Sequence, residues 1–426
     1  MNENATTFLT NKQKKAVIEE TVALIEKWYI GVEKIPFIKE EMMKSLSEGK
    51  YEELDNHIDF ANKLGSELIR ISNDYHFHVS YDIEKAEILK EHVRENGQVS
   101  IEDSETADFM KIMKYVNYEL FEIKRLPGSI GLIVLKGFPE IEIAGDMIVG
   151  AMQFLQHTKG LIIDVRENGG GSSECVNLLI SYLSEPVPKN YLNMKNRDDE
   201  TIRQYWTQAF VPTKRYLDKP VYVLTSKRTA SAGEDLAYNL KALGRVTIVG
   251  EKTKGACHPI EDLLIIKGFI ISMPISKPVS PITNDNWEGK GVIPHVKTSR
   301  EEALKVAHLE LSNLLIQNER DPLIKELMEF ERGYILAKYK TQLFDVEKIN
   351  EFIGDYGTIS IELKSDELIY KTRFLNYSLI TYDNNYYYAN ELLRIQFIIK
   401  DDKKYLISKY LIGPTIKKEI EQPKRL

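Results

Sequence analysis

The stretch TSKRTASAGEDLAY (residues 225–238) places Ser231 between two alanines, after the apolar run KPVYVL and before a helical pattern. A turn from a buried strand into a helix exposes a side-chain oxygen beside free backbone N–H groups, which suits a serine nucleophile. The same position equally suits a helix cap, because Ser and Thr are favoured at N-cap positions. This stretch alone therefore leaves both roles for Ser231 open.

A triple glycine follows another apolar run. The stretch GLIIDVRENGGGSSE (160–174) contains Gly169, Gly170 and Gly171 before a second helical pattern. Successive glycines let backbone N–H groups approach a ligand closely, and such donors stabilise an anion or a developing oxyanion. A phosphate-binding loop is the alternative, but the chain has neither G-x-x-x-x-G-K-[ST] nor G-x-G-x-x-G in this strand-to-helix context.

Two histidines, His76 and His78, lie in SNDYHFHVSYD (72–82), which continues into an alternating pattern typical of a strand. If both lie on the strand, their imidazoles share one face, which also permits a metal pair. Catalytic zinc takes three protein ligands, and the sequence offers no evident third one. We therefore expect no metal and no other cofactor.

Two later loops are rich in glycine. VGEKTKGACHP (249–259) contains His258, and NWEGKGVIPHV (286–296) contains Glu288. Taken singly, each is typical of an ordinary turn. Their occurrence together with the Ser231 turn favours one composite site.

The surrounding patterns predict the elements that must position these residues. Apolar positions at helical spacing predict a helical N-terminal domain over 1–81, followed by a polar connecting segment over 82–110. From 111 to 318, short Val/Ile/Leu runs alternate with amphipathic helices, which predicts an α/β core with a largely parallel sheet. Residues 323–426 hold eleven of the 23 tyrosines and alternate like half-buried strands, which predicts a small β-rich accessory domain.

Charge and cysteine content argue against several functional classes. A net charge of -7 at pH 7 argues against a nucleic-acid partner, which usually requires a basic surface. The two cysteines, Cys175 and Cys257, cannot form a disulfide scaffold or a four-thiolate zinc site, so we expect small buried residues. No signal-peptide core and no run of 18 apolar residues occurs, so a cytoplasmic protein without a transmembrane segment is expected. A secreted or periplasmic location stays open if a signal peptide was removed.

These stretches, in their order, resemble the C-terminal processing (tail-specific) serine peptidases. The resemblance is greatest to the branch that includes the tricorn protease core and the repeats of interphotoreceptor retinoid-binding protein. It extends from about residue 15 to 310 and implies a crotonase-like (ClpP-like) α/β core. The matching pieces are Asp74-Tyr75-His76, LPGSIGLIVLKGF (126–138), LIIDVRENGGG, TSKRTASAGE, VGEKTKGACHP and NWEGKGVIPHV.

The resemblance implies that Ser231 is the nucleophile. Lysine-dependent members carry their general base in the loop that aligns with GEKTKGACH, where the lysine position falls on Ala256. Lys252 and Lys254 fall on turn positions instead. The lysine base is therefore absent from its expected position.

In the tricorn-like branch a histidine is the base and a glutamate completes the relay, which the resemblance places on His76 and Glu288. The implied oxyanion hole combines the backbone N–H of Ala232 with that of Gly170 or Gly169. The serine hydroxyl needs a base to take its proton, and the base needs an anchor for its developing charge, so this set is chemically coherent.

Two positions depart from the family pattern. Tyr75 precedes the histidine where the tricorn core has a serine, which reduces a four-member relay to three. His295 stands where the family usually has an aspartate after the proline.

The resemblance implies a serine peptidase that acts on C-terminal or short unfolded peptides or on unfolded proteins. The alternative is a catalytically silent relative that binds an apolar ligand or a peptide, as the retinoid-binding repeats bind apolar ligands. A scaffold protein that uses its tyrosine-rich tail is a third reading. Homo-oligomerisation stays open.

Overall fold

A computed structural model describes residues 8–95, 111–112, 114–115, 118, 121–340, 343–412 and 415–424. Residues 96–110, which form half of the expected connecting segment, lie outside the described residues, as do residues 1–7 and 425–426 at the two ends. Within the described part, none of the helices combines the length and the apolar composition that crossing a membrane requires.

The N-terminal part is built from helices and one short strand. Its elements are α1 (Asn11–Trp28), a 3₁₀ turn (Val32–Lys34), α2 (Ile35–Ser47), α3 (His57–Ser72), β1 (His78–Tyr81) and α4 (Ile83–Glu95). Thr10 and Gln13 form a capping box that starts α1. Asn73, with a φ of 50° in the left-handed region, ends α3, so the chain turns at once into Asp74–His76.

The central part alternates strands and helices. Its elements are β2 (Phe121–Leu126), β3 (Ile130–Leu135), α5 (Ile141–Leu155), β4 (Gly160–Asp164), α6 (Ser173–Tyr182), β5 (Asn190–Lys195), β6 (Thr201–Trp206), β7 (Val221–Thr225), α7 (Ala232–Ala242), β8 (Thr247–Gly250), β9 (Ile260–Leu264), β10 (Phe269–Pro274), β11 (Lys277–Val279), β12 (Val296–Lys297) and α8 (Ala303–Asn318).

A six-stranded sheet with the order β12-β8-β7-β4-β3-β2 forms the centre of the molecule. All of its neighbouring strands are parallel except the antiparallel pair β2 and β3. One buried apolar cluster covers the face that packs on α5, α6 and α7, and a second lies under α8 on the opposite face. The expectation of a mixed α/β protein with a helical N-terminal part is confirmed.

Two smaller sheets extend this centre. The sheet β1-β10-β9 pairs a strand of the N-terminal part with two strands of the central part, and its apolar side belongs to the same buried cluster as α1, α2 and α3. Residues of the sheet β11-β5-β6 line a pocket together with residues that follow the carboxyl ends of β4 and β7. Through β1, the turn that holds His76 is fixed to the central part.

The C-terminal part opens with a helix that the sequence patterns did not predict. Its elements are α9 (Pro322–Tyr339), α10 (Val346–Asn350), β13 (Gly354–Tyr356), β14 (Ile359–Lys364), β15 (Glu367–Lys371), β16 (Asn376–Ser378), β17 (Ile380–Thr381), β18 (Tyr387–Asn390), β19 (Leu393–Lys400), β20 (Lys403–Ile412) and β21 (Thr415–Pro423). The strands form two antiparallel sheets, β13 to β16 and β17 to β21, around their own apolar cluster. Helix α9 contacts both α8 and this second sheet.

Candidate active site

Three loops that carry candidate residues meet at one edge of the central sheet. Strands β4, β7 and β8 are parallel neighbours, so their carboxyl ends lie side by side. The triple glycine follows β4, Ser231 follows β7, and residues 251–258 follow β8. Ligand sites in parallel sheets form at this edge, outside the carboxyl ends of the strands.

Ser231 occupies the turn between β7 and α7 in an unusual backbone conformation. Its φ is 51° and its ψ is -123°, a region that residues other than glycine rarely adopt, and its side chain is exposed. Such a conformation costs about 1–3 kcal/mol and persists only where the surrounding structure enforces it. A helix cap needs only extended backbone, so capping alone does not account for it. A sharp, strained strand-to-helix turn is how the α/β hydrolases expose a serine nucleophile.

The buried carboxylate of Glu234 holds the Ser231 turn against the loop after β8. It accepts hydrogen bonds from the N–H groups of Ser231 (3.1 Å), Gly255 (2.6 Å) and Ala256 (2.8 Å). The Ser231 N–H is also 3.0 Å from the Ala256 carbonyl oxygen. The spacing of Ser231 and Glu234 is that of a capping box, a pattern that can be recognised in the sequence. That pattern did not indicate that the carboxylate also reaches the β8 loop.

The two glycines expected to form the oxyanion hole use their N–H groups inside the protein. The Gly170 N–H donates to Asn168 Oδ1 at 2.9 Å, and the Gly169 N–H donates to the Lys136 carbonyl at 3.3 Å. Gly170 nevertheless packs directly on the serine, because a Cβ added to it would lie 2.7 Å from Ser231 Cβ. Gly170 therefore allows a close approach to Ser231, while its N–H donates to Asn168 and not into the pocket.

Two other N–H groups beside the serine are available. Among the described residues, neither the Gly171 N–H nor the Ala232 N–H has a hydrogen-bond partner. Gly171 has a φ of 126°, and a Cβ added to it would lie 2.0 Å from the Phe138 carbonyl oxygen, so only glycine fits. The N–H groups without a partner beside Ser231 are therefore those of Gly171 and Ala232, whereas the expected donors Gly170 and Gly169 are engaged inside the protein; which of them form an oxyanion hole stays a prediction.

Asn168, which the sequence analysis did not single out, joins the glycine loop to the serine turn. Its side chain is fully buried and donates from Nδ2 to the Leu135 carbonyl at 3.1 Å. Its own carbonyl accepts the Ala230 N–H at 3.0 Å, while its Oδ1 accepts the Gly170 N–H. One asparagine thus fixes the two loops relative to each other.

His76 lies in the turn before β1 and forms a hydrogen-bonded pair with Asp74. His76 Nδ1 donates to Asp74 Oδ1 at 2.7 Å, and the Tyr29 hydroxyl donates to Asp74 Oδ2 at 2.6 Å. Burial raises the pKa of Asp74, but the hydrogen bonds from His76 and Tyr29 outweigh it and hold this pKa well below its usual value. The ionised Asp74 therefore keeps the ring proton of His76 on Nδ1, which leaves Nε2 as a proton acceptor. The Asp74 hydrogen bond raises the pKa of His76, while burial opposes this shift.

The predicted sharing of a strand face by the two histidines does not occur. Strand β1 begins only at His78, which is exposed, whereas His76 belongs to the preceding turn. The two imidazoles therefore do not form the metal pair that the alternating pattern permitted.

Glu288 lies beside His76 without a hydrogen bond to it. Glu288 Oε2 accepts the N–H groups of Cys257 at 2.8 Å and His258 at 3.3 Å. Glu288 Oε1 is 3.9 Å from His76 Nδ1, which is beyond hydrogen-bond range. Asp74, and not Glu288, is therefore the carboxylate that hydrogen-bonds His76 in the described structure, and the relay role expected of Glu288 stays a prediction. Asp74 belongs to the sequence motif Asp74-Tyr75-His76, but only the geometry of the turn shows that its carboxylate bonds the His76 ring.

The loop after β8 connects Ser231 to the histidine side of the site. Ala256 contacts the Ser231 N–H, and the next two residues, Cys257 and His258, contact Glu288. No hydrogen bond joins the Ser231 hydroxyl to His76 in the part of the chain that the structure describes. Catalytic hydrogen bonds often tighten only in the substrate complex, so the lack of this bond is not evidence against a catalytic pair.

His76, His258 and Glu288 also form a group that could hold a metal ion. Their ligand atoms all lie within 4.8 Å of one another, and the two imidazole rings are 5.9 Å apart. Two histidines and one glutamate match a known ligand set of catalytic zinc. His258 belongs to this group in place of His78, which the sequence pattern had paired with His76. Burial lowers the pKa of His258, and His76 adds to this shift while Glu288 opposes it.

A pocket of about 300 Å³ opens beside Ser231. Gly171, Ser231 and Ala232 all line it, so the exposed hydroxyl lies beside the two available N–H groups. Cys257 lines it as well, but burial raises the pKa of its thiol well above the usual value. As expected, Cys257 and Cys175 are both buried and unpaired.

The positions at which this chain departs from the family pattern have structural explanations. Lys252 and Lys254 are exposed in the loop after β8, as expected for solvated turn residues. His295 Nδ1 accepts the Ile248 N–H at 2.9 Å, which ties the loop before β12 to β8. Tyr75, at the position where the resemblance led us to expect a serine, is exposed.

Two family models match this chain. Residues 129–298 match the family described as peptidase family S41, and residues 2–120 match the domain described as the N-terminal domain of peptidase S41 in eukaryotic IRBP. Together the two matches cover more than half of the chain.

Among curated proteins, the chain is similar to two carboxy-terminal processing proteases of Bacillus subtilis (strain 168). CtpB is 29% identical over 197 residues, which are 45% of this chain and 39% of the relative. CtpA is 28% identical over 157 residues, which are 36% of this chain and 31% of the relative. The chain thus spans less than half the length of the curated relatives it matches.

Among solved structures, the photosystem II D1 C-terminal processing protease is 13% identical, with a TM-score of 0.47. The match covers 68% of this chain and 94% of that protease.

Proposed function

We propose that this chain, which belongs to peptidase family S41, hydrolyses peptide bonds as a serine-type peptidase with Ser231 as its nucleophile. The family predicted from the ordered motifs is thereby confirmed. The parallel order of β3, β4, β7 and β8 supports the further proposal that the central part is a crotonase-like core.

In the proposed mechanism the Ser231 hydroxyl attacks the carbonyl carbon of the scissile bond while His76 Nε2 takes its proton. Asp74 holds the imidazole in the required tautomer and stabilises the imidazolium that forms. The protonated His76 then gives the proton to the leaving amine. Water, activated by the same histidine, releases the acyl group from Ser231.

The N–H groups of Gly171 and Ala232 form the proposed oxyanion hole. Both lack an acceptor among the described residues and line the same pocket as Ser231, so no internal hydrogen bond has to break when the oxyanion forms. Donors that need no reorganisation stabilise the transition state most effectively. We propose that Glu288 positions the loop after β8 through Cys257 and His258.

The single observation that carries this proposal is the backbone of Ser231. A residue held at a φ of 51° with an exposed hydroxyl, between free N–H groups, is explained by nucleophilic catalysis and not by capping. The alternative, a silent relative with an apolar ligand, predicts a large apolar cleft. The pocket of about 300 Å³ instead contains the buried carboxyl group of Asp235, which favours a peptide as ligand.

Labelling with a fluorophosphonate tests the proposal. Wild-type protein should form an adduct on Ser231, located by mass spectrometry, and Ser231→Ala should form none. Ser173→Ala is a matched control because Ser173 lines the same pocket, and it should label like wild type. An adduct on Cys257, or no adduct in wild type, would contradict the proposed chemistry.

A further inference from the structure

Asp235 is a buried carboxyl group in the pocket beside the proposed nucleophile. It lies four residues after Ser231, and residues at this spacing occupy the same face of a helix. Only 4% of its surface is exposed, and it lines the pocket together with Ser231 and Ala232. Buried aspartates are rare unless a cation or several donors compensate their charge.

The partners of Asp235 within the protein are incomplete. Its Oδ1 accepts a hydrogen bond from Asn239 Nδ2 at 2.6 Å, whereas its Oδ2 has no partner among the described residues. Arg203 is the only cationic residue among those that line the pocket, and it is paired with Glu174 at 2.6 Å. The carboxylate of Asp235 thus has no counter-ion of its own in the described structure.

The surroundings make a compensating cation favourable. Burial raises the pKa of Asp235 to about 7; the Asn239 amide opposes this shift and the charge of Glu174 adds to it. A cation that enters the pocket would stabilise the ionised form. Glu261, which also lines the pocket, adds a second acidic group and no counter-ion.

The remaining wall of the pocket suits an aliphatic chain. Leu192, Met194, Tyr205, Trp287 and Pro278 all line it. Apolar walls around one charged group match a lysine or arginine side chain, whose aliphatic stem packs on apolar surface while its head pairs with an acid. The volume of about 300 Å³ leaves room for such a side chain.

We propose that Asp235 is a specificity residue that selects a lysine or arginine side chain at the residue whose carbonyl Ser231 attacks. The inference rests on the proposed function and names the substrate class for that site. Because Ser231 and Asp235 line one pocket a single helical turn apart, the side chain of the attacked residue is the part of the substrate that enters it.

Two serine-directed probes that differ only in charge test the proposal. Aminoalkyl diphenyl phosphonates with a lysine or a norleucine side chain share one aliphatic stem, and only the lysine probe carries the cation. Wild-type protein should label faster with the lysine probe. In Asp235→Asn the ratio of the two labelling rates should fall about 10- to 100-fold, which corresponds to the loss of one charged hydrogen bond. The substitution keeps an oxygen for Asn239, and thermal melting reports whether the fold is retained.

Glu261→Gln is the matched control, because Glu261 lines the same pocket but is exposed, and it should change the ratio far less. If the lysine and norleucine probes label wild type equally, or if Asp235→Asn leaves their ratio unchanged, the proposed specificity is wrong while the peptidase remains. If a fluorophosphonate labels Ser231 but neither phosphonate does, the proposed specificity is wrong while the peptidase remains. If the fluorophosphonate also fails, the proposed function fails, and binding of p-aminobenzamidine then tests the pocket separately. Loss of that binding in Asp235→Asn supports the cation pocket, and equal or absent binding in both proteins overturns it.

Discussion

Asp74 accepts a hydrogen bond from His76 Nδ1 at 2.7 Å, and the same nitrogen lies 3.9 Å from the nearest oxygen of Glu288. The carboxylate that orients the proposed base therefore comes from the same turn as the base itself. Tyr29, on the other side, donates to Asp74 and fixes the carboxylate in place. Glu288 instead holds the backbone of the loop after β8.

Asp74→Asn should reduce kcat about 10²- to 10⁴-fold, because the amide no longer enforces the tautomer that leaves His76 Nε2 free. It should also move the pH profile. The proposed base must be neutral, so the rate falls as the pH drops through the pKa of His76. The Asp74 hydrogen bond raises that pKa, helped by the charges of Asp74 and Glu288 and opposed by burial and Lys254. Removing Asp74 lowers the pKa, so the acid limb of kcat/KM should shift to lower pH.

Glu288→Gln is the comparison for Asp74→Asn. The glutamine can still accept the N–H groups of Cys257 and His258, so we expect a smaller loss of rate and a smaller shift of the acid limb. If Glu288→Gln shifts the acid limb of the kcat/KM pH profile further than Asp74→Asn does, Glu288 and not Asp74 orients His76.

Gly171→Ala should lower the rate of fluorophosphonate labelling about 10²- to 10³-fold, the usual effect of losing one oxyanion donor. A methyl group at this position cannot coexist with the Phe138 carbonyl, so the N–H must move. Gly169→Ala is a matched control in the same loop, because a Cβ there would have nothing within 4 Å. It should label within a few-fold of wild type. Comparable losses in both variants, with unchanged melting temperatures, would argue against Gly171 as the donor.

The order of the motifs along the chain located the loops of the site but not the atoms that act in them. Ser231 could be predicted because a small-residue turn between a strand and a helix has a recognisable pattern. Gly171 could not be separated from Gly169 and Gly170, since the availability of its N–H depends on how the loop pairs with Phe138. The part played by Asp74 depends on the left-handed turn at Asn73, which residue spacing does not reveal.

Some parts of the fold were likewise predictable from the sequence, and others were not. The parallel sheet was predictable because its strands are continuous apolar runs, which only a sheet covered on both faces requires. Helix α9 was missed although Asp321 caps it and Pro322 occupies its first turn, a common start signal. The helix lies at the start of the segment 323–426, which the alternating pattern assigned to strands. Its Glu331 is buried and accepts hydrogen bonds from Arg125 and the Gly128 N–H, a contact that the sequence does not reveal.

Zn²⁺ should bind the group formed by His76, His258 and Glu288 and slow the labelling of Ser231. A bound ion would occupy the imidazole that the proposed mechanism needs as a base. His258→Ala removes one member of the group but keeps the backbone N–H that Glu288 accepts and the side chains of Asp74, His76 and Ser231, so without zinc it should label within a few-fold of wild type. Its zinc affinity, measured by calorimetry, should fall by at least about 10-fold, the low end of what altered metal-site residues cost.

His78→Ala is the control for zinc, because His78 is exposed on β1 and lies outside the ligand group. Its zinc affinity should equal that of wild type. Inhibition that survives in His258→Ala, or that disappears in His78→Ala, would place the zinc site elsewhere.

A shortened chain that ends at Lys340 should fold and label, whereas one that ends at Arg320 should be destabilised. No described residue of 343–424 lines the pocket beside Ser231, so removing these strands leaves the proposed chemistry in place. Ending the chain at Arg320 also removes α9. Met328 of this helix is 3% exposed and belongs to the apolar cluster under α8.

The cut at Arg320 further leaves the buried Gly128 N–H without the Glu331 carboxylate that accepts it at 2.8 Å. An unsatisfied buried donor costs about 1–3 kcal/mol, and the lost apolar contacts add to it. The melting temperature should therefore fall by roughly 5 °C or more relative to the chain that ends at Lys340. Circular dichroism and labelling are to be measured on both proteins. If the chain ending at Lys340 is folded but no longer labels, the C-terminal strands belong to the active site, and their assignment as an accessory domain is wrong.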